Sequence, residues 1–229
     1  MKAAVLAELA AARATKRPVV LATVLSTGEQ VLIDPLGEAE NESRDSLWAA
    51  ARAAADRDES AVVQDRNREI FLHVFNPPLR MAIVGAVHIA QVLAPLARAT
   101  GFEVTVSDPR GAFAAAERFP EVSLVHDWPD VALERLAPDR RTAIVVLTHD
   151  PKLDDPALGA ALRSPAFYVG ALGSRRTQER RAERLRERGI GDGDLGRIAG
   201  PIGLDIGARG PAEIAVSIIA QVIERLRKR

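Results

Sequence analysis

Cysteine is absent from this 229-residue sequence, which excludes disulfides, thiolate metal sites and a cysteine nucleophile. An excess of one charge is also absent: 31 Lys and Arg balance 31 Asp and Glu, whereas a general nucleic-acid binder would carry a basic excess. No apolar run reaches the length of about 18 residues that a membrane span requires, and Glu8 interrupts the N-terminus before a signal-peptide core is complete. We therefore expect a cytoplasmic protein with no membrane or nucleic-acid partner.

Apolar residues make up 47% of the chain, and as far as residue 76 they follow a mixture of helical and strand-like patterns. Helices are predicted over 3–14 and 43–55, and strands over 19–25, 31–33, 62–63 and 70–75, the first two strands forming a hairpin. Asn76-Pro77-Pro78 ends the pattern, because consecutive prolines can neither extend a strand ladder nor continue a helix. We predict a small α+β domain over 1–76 and a second domain over 79–229.

From Arg80 onward, short apolar runs alternate with helical stretches. The predicted strands are 81–84, 103–106, 123–125, 142–147 and 167–169, and the predicted helices are 88–100, 129–136, 155–163, 174–188 and 211–227. Strands that lack polar alternation and are separated by helices are typical of a parallel sheet covered on both faces. The predicted fold class is therefore α/β, a Rossmann-like doubly wound parallel sheet preceded by the smaller α+β domain.

The first strand of this second domain ends in a turn that meets part of the dinucleotide-binding fingerprint. Gly85 permits a tight turn, and amides at the start of the next helix, beside His88, can hold a phosphate. Asp108 follows 23 residues later, where dinucleotide folds place the carboxylate that binds a ribose hydroxyl. Val87 stands where a second glycine is usual, and its branched side chain obstructs ordinary NAD(P) binding. The alternative is structural: Gly85 makes only a turn, and His88 and Asp108 cap or terminate elements.

Polar groups are concentrated in the loop that follows strand 142–147. It contains a hydroxyl, an imidazole and a carboxylate in succession, Thr148, His149 and Asp150. Ligands of open α/β sheets bind outside the carboxyl ends of the strands, which favours a ligand-binding role for these three residues. Asp154 or Asp155 is predicted to cap a helix that begins near Pro156. The spacing does not define a metal site.

The segment after strand 167–169 has the composition of an anion site. Gly170 and Gly173 free the backbone to expose amides, Ser174 precedes a helix, and Arg175 or Arg176 can grip a phosphate bidentately. The structural alternative is a Ser174 cap followed by solvated arginines. Further along the helix, arginines interleave with glutamates, which predicts an exposed, salt-bridged face over Arg180, Arg181, Arg184, Arg186 and Arg188.

Two further features lie near the C-terminus. Asp205 is a lone carboxylate in a glycine-rich, otherwise apolar segment, and a buried acid at this position would require a partner or a ligand. The final helix carries more apolar residues than a sheet face alone requires, which leaves a homodimer contact open: Ile214, Ile218, Ile219, Val222, Ile223 and Leu226.

Four segments of the second domain together resemble the C-terminal Rossmann domain of the XdhC/CoxI family. They begin at Val104 (VTVSDPR), Thr148 (THDPKLD), Tyr168 (YVGALGSRRT) and Pro201 (PIGLDIGA), and the resemblance covers residues 80–227. It implies a maturation factor that binds the molybdenum cofactor, in its molybdopterin or dinucleotide form. Such a factor protects the cofactor during sulfuration with a cysteine desulfurase and delivers it to an apo molybdenum hydroxylase, such as xanthine or carbon monoxide dehydrogenase.

The same resemblance implies a division of roles among the residues. The cofactor would be held by Gly85, His88, Asp108, Thr148, Asp150, Gly170, Gly173, Ser174 and Arg175, with His149 and Asp205 near its reactive end. Two departures stand out: the family has Gly-Ala-Gly-His where this chain has Val87, and a Ser-Gly-Gly-Cys-type segment in the N-terminal region that this chain lacks. No role of that cysteine transfers to this chain, and the N-terminal domain is interpreted as a divergent docking or dimerisation module.

Three functions remain open at this point. The first is the cofactor-binding chaperone, an accessory protein rather than an enzyme with turnover. The second is an NAD(P)-dependent oxidoreductase on the same fold. The third is a degenerate family member that only tethers a partner enzyme.

Overall fold

The computed structural model describes residues 3–37 and 45–228 and divides into two compact units, Met1–Pro77 and Pro78–Arg229. The first unit contains α1 (Ala3–Ala14), β1 (Val19–Val24), β2 (Gln30–Ile33), α2 (Asp45–Arg57), β3 (Ala61–Asp65) and β4 (Arg68–Phe75). The four strands described here form an antiparallel sheet in the order β2-β1-β4-β3. The predicted hairpin is confirmed as β1–β2, whereas the first two residues of the helix predicted over 43–55 lie outside the described residues.

The core of this first unit lies between one face of the sheet and α2. Leu47, Trp48 and Ala51 recur at helical spacing on the buried face of α2 and pack with Val20 and Ile70 of the sheet.

The second unit alternates strands and helices throughout. Its elements are β5 (Leu79–Val84), α3 (His88–Ala99), β6 (Phe102–Ser107), β7 (Ser123–Val125), α4 (Pro129–Leu136), β8 (Thr142–Val146), α5 (Pro151–Arg163), β9 (Tyr168–Ala171), α6 (Arg175–Glu187), α7 (Asp192–Leu195), β10 (Ile198–Ala199) and α8 (Pro211–Arg227). Within 78–228, six parallel strands lie in the order β10-β9-β8-β5-β6-β7. Numbered from β5, this is the 3-2-1-4-5-6 order of the Rossmann fold, which confirms the predicted fold class.

Alternate residues of the central strands enter two different cores. Met81 and Ile83 of β5 pack with Leu93 of α3 and Ile218 of α8 on one face of the sheet. Ala82 and Val84 pack on the other face, with Leu158 of α5 and Leu185 of α6. Because both faces of the sheet are covered, its central strands are apolar without alternation, which explains the pattern seen in the sequence.

Two of the element boundaries that differ from the sequence prediction matter for the site. The helix predicted to begin near Pro156 begins at Pro151, because Asp150 caps it and Pro151 occupies the first helical position; Pro156 lies inside α5. Strand β9 continues to Ala171, so Gly170 belongs to the strand and not to the following loop. The short elements α7 and β10 have no counterpart in the sequence prediction.

The apolar face of α8 is covered within the chain. Ile218, Ile219, Val222 and Leu226 are buried within the chain, whereas Ile214 and Ile223 are half-buried; the homodimer contact that the sequence leaves open stays a prediction. No helix in the described part of the chain is both long enough and apolar enough to cross a bilayer.

Candidate functional site

The carboxyl ends of β5 and β8 lie side by side, and Gly85 allows their loops to meet. Its φ is +104°, and a Cβ at this position would lie 2.6 Å from the Cγ2 methyl of Thr148. The Gly85 amide donates to the carbonyl of Ser107 at 2.8 Å. Gly85 is therefore required for the backbone conformation and for the contact between the two loops.

Asp108, at the end of β6, forms its hydrogen bonds with other residues of the protein. Its side chain is fully buried and accepts hydrogen bonds from the Ala86 amide (2.9 Å), the Arg110 amide (3.0 Å) and the Arg110 guanidinium (2.8 and 2.9 Å). Burial raises the pKa of Asp108, but the hydrogen bonds from Arg110 and Ala86 outweigh it and hold the pKa below its ordinary value. A contact with a ribose hydroxyl, as the spacing suggests, would require Arg110 to leave.

A buried ion pair joins the first turn of α5 to the middle of α6. The hydroxyl of Thr148 donates to Oδ1 of Asp154, and Nη2 of Arg181 donates to Oδ2 at 2.7 Å. Both charged side chains are almost completely buried, at 1% exposure for Arg181 and 3% for Asp154. Burial raises the pKa of Asp154 by more than the hydrogen bonds from Thr148 and Arg181 lower it, so its pKa lies above the ordinary value.

This pair corrects two sequence predictions. Neither Asp154 nor Asp155 caps a helix, because both are buried and paired with arginines of α6; Arg184 binds Asp155 bidentately, at 2.8 and 2.9 Å. The arginines of α6 do not all lie on an exposed face either, because Arg181 points into the protein to reach Asp154. A facing helix with two adjacent carboxylates, rather than solvent, determines where these guanidinium groups lie.

A cavity of about 310 Å³ lies where α5 and α6 begin. Its lining residues are His149, Pro151, Asp154, Ser174, Arg176, Thr177, Arg180, Arg181 and Arg184. Arg181 and Arg184 are neutralised by Asp154 and Asp155, whereas Arg176 and Arg180 make no ion pair with any residue of 3–37 or 45–228. The cavity therefore carries an excess of two positive charges, which suits an anion of charge about −2, such as a phosphate monoester near pH 7.

The turn into α6 has the form of a helix start. Ser174 is the N-cap residue, and its hydroxyl accepts from the Thr177 amide at 3.3 Å. Gly173 has a φ of +138°, and a Cβ there would lie 2.8 Å from the Thr177 Cγ2 methyl. Arg175 is exposed and does not line the cavity; Arg176, the alternative in the sequence prediction, does.

The structure brings only some of the predicted site residues together. His149 and Ser174 line one cavity; Thr148 lies beneath it, bonded to Asp154, and Asp150 caps α5 by accepting from the Lys152 amide at 2.9 Å. His88 is exposed at the first residue of α3 and is not among the lining residues.

The structure corrects the sequence predictions for Gly170 and Asp205. Gly170 does not expose an amide to a ligand, because it lies in β9 under Tyr168 and Ile202, where a Cβ would come within 2.6 Å of both side chains. Asp205 is exposed rather than buried, although Ile202 of the same segment lies in the core.

The sequence reasoning missed the roles of Thr177, Arg180, Arg181 and Arg184 at this site. A signal for them was present: Arg176, Arg180 and Arg184 recur every four residues and so share one face of α6. In the described part of the chain, no three His, Asp or Glu side chains are grouped as metal ligands would be.

Comparison with known proteins finds a family and several relatives. The family model of the XdhC Rossmann domain matches residues 81–222. A protein of Bacillus subtilis described as a probable subunit of xanthine dehydrogenase is 33% identical over 166 residues, 72% of this chain and 48% of that protein. The molybdenum cofactor insertion chaperone PaoD of Escherichia coli is 33% identical over 148 residues, 65% of this chain and 40% of that protein. The chain thus spans less than half the length of these relatives.

The fold is also found in a solved structure. The crystal structure of a xanthine dehydrogenase from Bacillus halodurans is similar over 99% of this chain and 65% of that one, with a TM-score of 0.72 and 26% sequence identity. The similarity extends over both units of the present chain.

Proposed function

This chain belongs to the XdhC family, and on that premise we propose that it is a maturation chaperone that binds the molybdenum cofactor as cargo. It protects the cofactor during sulfuration with a cysteine desulfurase and delivers it to an apo molybdenum hydroxylase such as xanthine dehydrogenase. The relatives named as a cofactor insertion chaperone and as part of a xanthine dehydrogenase support this proposal.

The observation that carries the proposal is the cationic cavity at the starts of α5 and α6. The molybdenum cofactor ends in a phosphate monoester, or in a pyrophosphate when it is a dinucleotide, and either group has a charge of about −2. Arg176 and Arg180, which have no carboxylate partner among the described residues, match this charge, and the N-terminal dipole of α6 adds to the attraction. The donors that line the cavity therefore fit the phosphorylated end of the cofactor.

The residues have different roles in this proposal. Arg176 and Arg180 bind the phosphate, and the hydroxyl of Ser174 adds a hydrogen bond. His149, which lines the cavity from the loop before α5, contacts the part of the cargo that extends from the phosphate. Gly85 and Thr148 do not line the cavity and act through other residues, since Gly85 allows the loops to meet and Thr148 holds the lining residue Asp154.

The proposal is tested by cofactor binding. Molybdenum cofactor released from a carrier protein is offered to the full chain, and the bound pterin is quantified by fluorescence after gel filtration. We expect stoichiometric binding by the wild type and a loss of about tenfold or more in affinity for Arg176→Ala and for Arg180→Ala, because each removes a charge-assisted hydrogen bond.

The matched control is Arg186→Ala. Arg186 lies on the same helix, is exposed and pairs with Asp192, but it does not line the cavity, so its loss is expected to leave the affinity unchanged. Absence of binding by the wild type contradicts the function, and equal losses in all three variants contradict the site.

A further inference from the structure

The turn between β9 and α6 separates its hydrogen-bond acceptors from its donors. The carbonyls of Ala171 and Gly173 accept from Nε2 of Gln178, at 3.0 and 3.4 Å, and the carbonyl of Leu172 accepts from Nη2 of Arg181 at 3.0 Å. Three successive carbonyl oxygens are thus bound by side chains of α6. The amides of Gly173 and Ser174, in contrast, have no acceptor within the described residues.

Gln178 and Arg181 are held as one unit. Nη1 of Arg181 donates to Oε1 of Gln178 at 2.5 Å, and Nη2 of Arg181 also donates to Asp154. Gly200 makes room for the glutamine, because a Cβ at Gly200 would lie 2.5 Å from the Cδ atom of Gln178. The orientation of the Gln178 amide, with its nitrogen toward the turn, follows from these contacts.

Stability alone does not account for this arrangement. A buried ion pair contributes little net stability, because desolvation of the two charges offsets their attraction, and an apolar pair of similar volume is often as stable. Nε of Arg181 is moreover buried without a partner among the described residues, which adds to the cost of placing a guanidinium here. The buried guanidinium lines the cavity itself, so its position beside the turn points to ligand binding.

We propose that Gln178 and Arg181 are positioning residues of the cavity. By binding the carbonyls of residues 171–173, they fix the orientation of the peptide groups of the turn. The amides of Gly173 and Ser174, which have no acceptor among the described residues, then donate to the cargo's phosphate. The phosphate is then bound by backbone amides as well as by Arg176 and Arg180, and its negative charge does not face the negative ends of the turn's peptide groups. This inference rests on the proposed function, because it assigns contacts within the same cavity.

The test compares two glutamines that each tie a strand-end loop to a helix. Gln178 serves the cavity, whereas Gln221 of α8 donates to the Gly203 carbonyl at 3.1 Å, accepts from the Gly203 amide at 2.9 Å and does not line the cavity. Gln178→Met and Gln221→Met remove the same side-chain amide at nearly constant volume and without a change of charge. Inorganic pyrophosphate is the probe, titrated into the 15N-labelled full chain and followed by amide chemical shifts.

In the wild type we expect the amide resonances of Gly173 and Ser174 to shift on titration and the amide resonance of Gly203 to remain unchanged. Gln178→Met is expected to bind pyrophosphate about tenfold more weakly and to lose these shifts, because the amides of the turn are no longer held in place. Gln221→Met is expected to bind like the wild type even if its melting temperature falls.

Each other outcome has a definite meaning. If the wild type binds pyrophosphate and the amides of Gly173 and Ser174 do not shift, the inference is overturned without recourse to any variant. If Gln178→Met binds as tightly as the wild type, or if Gln221→Met loses as much affinity, the positioning role is overturned while the proposed function stands. If the wild type binds neither pyrophosphate nor the cofactor, the proposed function fails and the inference fails with it.

Discussion

Replacing Arg181 with methionine is expected to destabilise the second unit in a way that depends on pH. The variant leaves Asp154 buried, without its cationic partner and with only the hydroxyl of Thr148 as donor. Breaking a buried ion pair by removal of one partner typically costs about 3–5 kcal/mol. The folded variant can limit this cost if Asp154 takes up a proton.

The sign and size of the pH dependence follow from that proton. In the unfolded chain Asp154 has its ordinary pKa of 3.8, and burial without Arg181 raises the folded-state pKa even further than in the wild type. Where the folded variant holds the proton and the unfolded chain does not, the free energy of unfolding falls by about 1.4 kcal/mol per pH unit as the pH rises. Protonating Asp154, which is ionised in the unfolded chain, costs about 4 kcal/mol at pH 7 and about 2 kcal/mol at pH 5. These values are the upper limits of the stability that the variant loses through the buried charge.

Urea unfolding at several pH values measures this effect. In a Trp48→Phe background the fluorescence of Trp128 reports on the second unit, and Arg181→Met is expected to lose less stability at pH 5 than at pH 7. The double variant Asp154→Asn/Arg181→Met has no titrating group in the pair and is expected to lose the same stability at both pH values. Two results would refute the assignment of the buried charge. One is a loss of unfolding free energy in Arg181→Met that is the same at pH 5 and pH 7, and the other is a pH dependence in the double variant as large as that of Arg181→Met.

Two other predictions concern the loops at the edge of the sheet. Gly85→Ala is expected to lower the free energy of unfolding by about 3 kcal/mol, because the new methyl clashes with Thr148 and the backbone at this position has a positive φ. The control is Gly101→Ala, where φ is +92° and the space around the residue is open, so that only the backbone strain remains and the expected loss is about 1 kcal/mol. Equal losses in urea unfolding would contradict the close contact. NADH, titrated by its fluorescence, is expected not to bind saturably, because Arg110 occupies the carboxylate of Asp108; a low-micromolar dissociation constant would favour the oxidoreductase hypothesis instead.

The fold could be predicted from the sequence because its strongest signals are local. Strand β8 is buried on both faces, so its residues after Thr142 are apolar without interruption, and the turn at Gly85 requires a residue that tolerates a positive φ. The start of α5 is harder to predict from the sequence, because Pro151 and Pro156 both suit the first helical position and only the cap at Asp150 distinguishes them.

The composition of the cavity depends on contacts between distant parts of the chain. Interleaved arginines and glutamates in α6 are typical of an exposed helix, and the burial of Arg181 is decided by Asp154, 27 residues earlier on another helix. The exposure of Asp205 is likewise set by the packing of its segment against α8 rather than by its apolar neighbours in sequence. The pattern of residue types along the chain does not predict contacts between side chains that are far apart in sequence.

The most direct measurement is the dissociation constant of the full chain for the molybdenum cofactor, determined for the wild type and for Arg176→Ala/Arg180→Ala. We predict saturable one-to-one binding by the wild type and a loss of about a hundredfold in the double variant, because two charge-assisted contacts to the phosphate are removed. Binding of equal strength by both proteins would show that the cargo does not occupy the cavity between α5 and α6.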